Sequence, residues 1–136
     1  DLVEALVSKD VRTYYQHFLD RWSHPSFSFE EADIAEYVRA YSQPGAIRGA
    51  CAHYQAALNE DEAQWAADVG KQITTPTLVI WGEDDPCSPP YYTDGYQRVF
   101  TDVTFRFVAR CGHFPQEELP AKTITAMREF LAGEGH

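Results

Sequence analysis

The chain has 136 residues, a formal net charge of −10, 44% hydrophobic and 14% aromatic residues, which suits one modest globular domain and excludes a disordered tail. The negative charge, with no Lys/Arg cluster, argues against nucleic acid as a partner. No apolar run reaches bilayer length, and the opening DLVEALVSKD lacks a basic n-region and an h-region, so neither membrane anchoring nor secretion is expected.

The chain begins in an amphipathic pattern (Leu2, Val3, Leu6, Val7) without a methionine, which reads as a region incomplete at its N-terminus. Val11, Tyr14, Tyr15, Phe18, Leu19 and Trp22 recur at three- and four-residue spacing and predict a helix ending before His24-Pro25. Ser28 and Glu31 have capping-box spacing, so a second helix is expected over about Phe29 to Tyr41, with Ile34, Tyr37, Val38 and Tyr41 on its apolar face. Pro44 suits the first position of a third helix carrying Ile47, Cys51, Tyr54 and Leu58 on one side. A last helical segment, about Asp61 to Val69, stops at Gly70.

The period then changes. Thr77 to Trp81 is a short β-rich apolar run between Pro76 and Gly82 and reads as a strand buried on both faces. A helix is expected from Tyr91 to about Phe100. Val103, Phe105 and Phe107 alternate with Thr104 and Arg106 as a second strand, and Leu119 to about Leu131 form a closing helix ended by Gly133. Strand, helix, strand, helix is α/β grammar, yet two strands are too few for a stable sheet. Either the α/β domain is incomplete or its missing strands come from another chain, an accessory or assembly role in which a homo-oligomer could rebuild the sheet.

Parallel α/β sheets carry functional residues on loops beyond the carboxyl ends of their strands. Those loops here are Gly82-Glu83-Asp84-Asp85-Pro86 and Arg110-Cys111-Gly112-His113-Phe114. An imidazole works as a general base when its second nitrogen is held and its cation stabilised by a carboxylate, and adjacent parallel strands would bring Asp85 and His113 together. Asp84 and Glu83 are the competing acids. His17, His24, His53 and His136 are read as solvated or packing residues, no metal site is proposed, and no cofactor is called for. Cys51, Cys87 and Cys111 fit neither a disulfide framework nor a zinc motif, which suggests a reducing cytoplasm; Cys111 reads as a small apolar filler. Glu117 and Glu118 read as first-turn charges of the last helix.

TPTLVIWGEDD, then CGHFPQEELP with an amphipathic helix behind it, resemble the last two strands of the α/β-hydrolase family. Tyr14-Tyr15-Gln16-His17-Phe18, Ala35-Glu36-Tyr37-Val38-Arg39-Ala40 and His53-Tyr54-Gln55-Ala56 resemble the helical cap of its epoxide hydrolase and haloacetate dehalogenase branch. The resemblance implies residues 1–73 as cap and 74–136 as the C-terminal part of the core. It implies Asp85 as the orienting acid, His113 as the base, and Tyr54 as the cap tyrosine that assists a leaving oxygen or halide. The branch usually follows that tyrosine with arginine; Gln55 stands there instead.

The branch attacks carbon with an aspartate on a G-x-D-x-G elbow. The nearest frame, Gly45 to Gly49, centres on Ile47, so the nucleophile is expected in a missing N-terminal hydrolase portion. The resulting expectation is a hydrolase fragment, inactive alone, whose parent opens small epoxides. Haloacid dehalogenation and a serine esterase reaction are the alternatives.

Overall fold

The computed structural model describes residues 2–133. Contacts separate them into two units: the chain up to Asp20 together with Phe29–Val69, and Arg21–Ser28 together with the chain from Gly70 onward.

The first unit is helical. It contains α1 (Leu2–Val7), most of α2 (Val11–Trp22), α3 (Glu31–Tyr41), α4 (Ala46–Asn59) and α5 (Asp61–Asp68). Asp10 starts α2 by accepting the Thr13 amide at 2.9 Å, which satisfies one of the donors a helix start leaves free; the Thr13 side chain first, and then this amide, hold the Asp10 carboxyl below its usual range. Val7, Leu19, Phe29, Ile34 and Ile47 are buried. The apolar spacing read from the sequence therefore does supply the core of this unit. The Tyr15 and Tyr41 rings stack with centroids 4.0 Å apart, and burial, followed by the neighbouring Tyr41, pushes the Tyr15 phenol well above its ordinary pKa.

Three local expectations change. The box that opens α3 uses Asp33, whose carboxylate accepts the Glu30 amide at 3.3 Å. Glu31, expected to pair with Ser28, instead forms a two-pronged ion pair with Arg12 at 2.8 and 2.6 Å. A guanidinium fork competes well for a carboxylate, and Asp33 lies three residues after Glu30. Second, α4 begins at Ala46 rather than Pro44, because Gly45 takes φ 83° as its N-cap. Third, of the predicted stripe on α4, Ile47 is buried and Cys51 half-buried, while Tyr54 and Leu58 are 67% and 77% exposed.

The second unit is built on two parallel strands, β1 (Thr77–Gly82) and β2 (Val103–Val108), in register from Thr77 opposite Val103 to Gly82 opposite Val108. The expected helix between them is broken. Pro90–Thr93 forms a 3₁₀ turn, Gly95 turns the chain at φ 92°, and only Tyr96–Val99 is α-helical (α6). Glycine pays no Cβ penalty in that left-handed region, so the turn ends one segment and starts the next. After β2 come α7 (Pro115–Glu118) and α8 (Pro120–Leu131), both of which contact β1. Thr77 through Trp81 are half-buried rather than buried on both faces, since the strand has a single partner among the described residues.

Candidate active site

The ends of β1 and β2 interlock. Beyond Gly82, the Glu83 amide donates to the Val108 carbonyl and the Asp84 amide to the Cys111 carbonyl, each at 3.0 Å. The Trp81 indole N–H closes the first loop on the Ser88 carbonyl at 2.7 Å. These bonds carry the parallel ladder past the strand ends and set two loops side by side, the arrangement expected where a parallel sheet builds a site.

Within that frame, Asp85 and His113 meet. His113 Nδ1 lies 2.8 Å from Asp85 Oδ2. Oδ1 of the same carboxylate accepts the amides of Cys87 at 2.8 Å and Ser88 at 2.9 Å. Asp85 is buried, its side chain 5% exposed against 32% for His113. A carboxylate this enclosed is tolerated because both oxygens have donors. Facing an anion, the neutral imidazole keeps its proton on Nδ1 and presents a lone pair at Nε2.

The competing acids lie elsewhere. Asp84 is about half exposed and sits 3.8 Å from His24 Nε2. It also accepts the Arg110 amide at 3.1 Å, where Arg110 turns the chain at φ 60°. Glu83 is exposed. The resemblance named Asp85 among three consecutive acids, and the turn that follows β1 sends that side chain, not those of Glu83 or Asp84, to the imidazole.

Segment 21–28 supplies a part of the site that its sequence did not announce. The His113 amide donates to the Trp22 carbonyl at 2.8 Å, and the Trp22 ring stands edge-on to the imidazole with centroids 5.2 Å apart. His24, read as a packing residue, uses Nδ1 locally against Ser26 Oγ at 2.7 Å. Glu118 does sit in a helix's first turn, that of α7, but it is also buried, and its carboxylate accepts the amides of Gly112 and His24 as well as that of Phe114. The only advance signal was a glutamate five residues after the histidine.

Tyr54 sits on α4 with its ring edge-on to His53. Among the described residues, no group of three or more His, Cys, Asp or Glu side chains could hold a metal, and no helix is long and apolar enough to cross a membrane. His136 lies outside the described residues.

Cys111 is fully buried. Burial first, then the Glu118 carboxylate, pushes its thiol up to about 11 from an ordinary 9.0. Such a thiol is a filler and a poor nucleophile. Iodoacetamide at pH 8 is expected to label Cys51 and Cys87 in the folded protein and Cys111 only after denaturation, read by peptide mass mapping; early labelling of Cys111 contradicts its burial. Because the folded-state pKa is raised, the protonated thiol stabilises the fold below pH 9, and that contribution is lost as pH rises from 9 towards 11.

A family profile described as alpha/beta hydrolase fold matches residues 7–120. The chain belongs to the α/β-hydrolase fold family. Its two parallel strands with flanking helices are the C-terminal portion of that fold, the class expected from the sequence. The chain is 37% identical over 134 residues to a soluble epoxide hydrolase from Corynebacterium sp. (strain C12), covering 97% of this chain and 46% of that one. It is 28% identical over 133 residues to a fluoroacetate dehalogenase from Burkholderia sp., covering 95% and 43%. Among solved structures it superposes on the epoxide hydrolase CorEH without ligand with a TM-score of 0.80 and 34% identity, covering 96% of this chain and 45% of that chain. It thus spans about half the length of the curated relatives it matches, and those relatives are hydrolases.

Proposed function

We propose that the protein containing this chain hydrolyses small epoxides through an alkyl-enzyme ester, with His113 as the base that activates water and Asp85 as the acid that orients it. The observation that carries the reading is the 2.8 Å bond from His113 Nδ1 to a buried, doubly anchored Asp85 at the ends of neighbouring parallel strands. The choice of epoxide is supported by similarity to the soluble epoxide hydrolase along nearly the whole chain. In this reading residues 1–73 are the cap, residues 74–136 are the C-terminal part of the core, and segment 21–28 is the stretch of the cap that packs with the core.

The chemistry runs in two steps. A carboxylate from the portion of the protein outside this chain attacks an epoxide carbon, the C–O bond breaks, and the oxygen takes a proton from the Tyr54 phenol. His113 Nε2 then removes a proton from water; the hydroxide attacks the ester carbonyl and the acyl C–O bond breaks. The departing alkoxide takes the proton of the new carboxylic acid, so that the diol leaves and the carboxylate is regenerated, and the imidazolium proton returns through solvent to the Tyr54 phenolate. Asp85 stabilises the imidazolium while it lasts.

A single turnover in H₂¹⁸O, with the whole hydrolase in molar excess over epoxide, tests this. The first diol is expected to be unlabelled, its new oxygen coming from the enzyme carboxylate, with label entering the protein. Labelled diol in the first turnover means direct hydration and overturns the ester. A second reading, haloacid dehalogenation, is favoured by the likeness to the fluoroacetate dehalogenase. Fluoride release from fluoroacetate, measured beside diol formation, decides between the two.

A further inference from the structure

We propose that Glu118 is a positioning residue: its buried carboxylate gathers three backbone amides and thereby holds the imidazole of His113 against Asp85. The inference rests on the reading of His113 as the water-activating base.

Glu118 is 7% exposed and ends the single turn of α7. Its Oε2 accepts the Gly112 amide at 2.8 Å and the His24 amide at 3.0 Å. Its Oε1 accepts the Phe114 amide at 3.0 Å. No cation pairs with it among the described residues. A carboxylate taken out of water in this way is costly, and amide donors on both oxygens are what offset the cost. The bond to Phe114 resembles an ordinary helix cap. The two on Oε2 do not, because Gly112 and His24 lie outside the helix.

Those contacts close a circuit around one side chain. Gly112 and Phe114 flank His113, so Glu118 pins the chain on both sides of it. The amide of His113 itself is taken by the Trp22 carbonyl at 2.8 Å. Glu118 pins Trp22 in turn by holding the amide of His24, two residues on. All three consecutive amides from Gly112 to Phe114 are therefore fixed, and the imidazole leaves this frame at a set angle to reach Asp85. Gly112 makes the frame possible, since a Cβ there would come within 2.5 Å of the His24 nitrogen.

Glu118→Gln keeps the size of the side chain but replaces one acceptor oxygen with an N–H₂ donor that faces an amide N–H. Either the Oε2 pair or Phe114 loses its acceptor, so the loop relaxes and Nε2 loses its aim at water. In the whole hydrolase, ester hydrolysis is expected to slow by about 10- to 100-fold while ester formation and KM change less than about threefold. By ¹⁵N NMR, the His113 Nδ1–H signal is expected to broaden or move upfield as its bond to Asp85 lengthens. Equal hydrolysis rates and an unchanged Nδ1–H signal in a folded E118Q protein overturn the proposal.

Two further measurements guard against misfolding of that variant. In the unmodified protein, the amides of His24, Gly112, His113 and Phe114 should exchange with deuterium together and slowly; exchange of these amides at the rate of open loops overturns the proposal. Glu118→Asp keeps two acceptor oxygens on a shorter arm and should fall between the parent and E118Q in hydrolysis rate. Failure of the functional reading is seen separately, as undiminished turnover in His113→Gln, and the Nδ1–H and exchange readouts do not depend on turnover.

Discussion

His113→Gln in the whole hydrolase is expected to lower steady-state turnover by on the order of 10³-fold while leaving the first half-reaction intact, so that the alkyl-enzyme ester accumulates. The asymmetry follows from the geometry of the pair. The imidazole is bound through Nδ1 to Asp85 Oδ2 at 2.8 Å, and in the proposed reaction the nitrogen that acts on water is the other one. Carbon attack by a carboxylate needs no base, whereas hydrolysis of the ester needs a proton taken from water. Glutamine can offer an amide N–H to Asp85 but has no basic lone pair to present. Intact-protein mass spectrometry after mixing with a small epoxide should show the protein heavier by the full mass of the substrate, because ring opening expels nothing. Steady-state turnover within threefold of the parent would remove His113 from the mechanism.

Gly82→Ala is expected to destabilise the protein by on the order of 3 kcal/mol, and Gly112→Ala by a similar amount. At position 82 a Cβ would collide with the Gly112 carbonyl and lie within 2.5 Å of the Cys111 carbonyl oxygen. At position 112 it would collide with the Trp22 carbonyl. Backbone cannot step aside as a flexible side chain can. The two glycines are spacers that let the end of β1, the loop of His113 and the Trp22–His24 segment lie in direct backbone contact. Gly49→Ala is the matched control. It lies within α4, nothing stands within 4 Å of its added carbon, and alanine there should raise stability by about 0.5–1 kcal/mol. Urea unfolding of the three variants measures all of this; equal stability of Gly82→Ala and the parent would show that the loops separate at little cost.

Spacing alone delivered most of the elements. α2 covers Val11–Trp22, the strands begin at Thr77 and Val103, and Gly70 and Gly133 take left-handed conformations after α5 and α8. Each of these follows from local rules: an apolar period, a β-branched run, or a glycine where the chain must turn. The misplacements are also local. Gly95 interrupts the helix expected over residues 91–100, and Asp33 serves at the start of α3 while Arg12 takes Glu31. In the last case a residue nineteen positions away decided, and no local window contains it.

For the candidate site, the sequence by itself determined the ingredients: two strand ends, an acid cluster after one, and Gly112-His113 after the other. It also fixed the family likeness. The resemblance pointed to Asp85 among the three consecutive acids, and the tertiary structure brings that carboxylate to the imidazole at 2.8 Å while Asp84 and Glu83 turn elsewhere. Only the fold made Glu118, a helix-start charge, a buried anchor as well and brought Trp22 and His24, some ninety residues upstream, to the histidine's loop. Hydrogen bonds between distant backbone amides and one carboxylate leave no periodic trace in a sequence; they exist only where burial has removed the water that would otherwise satisfy both partners.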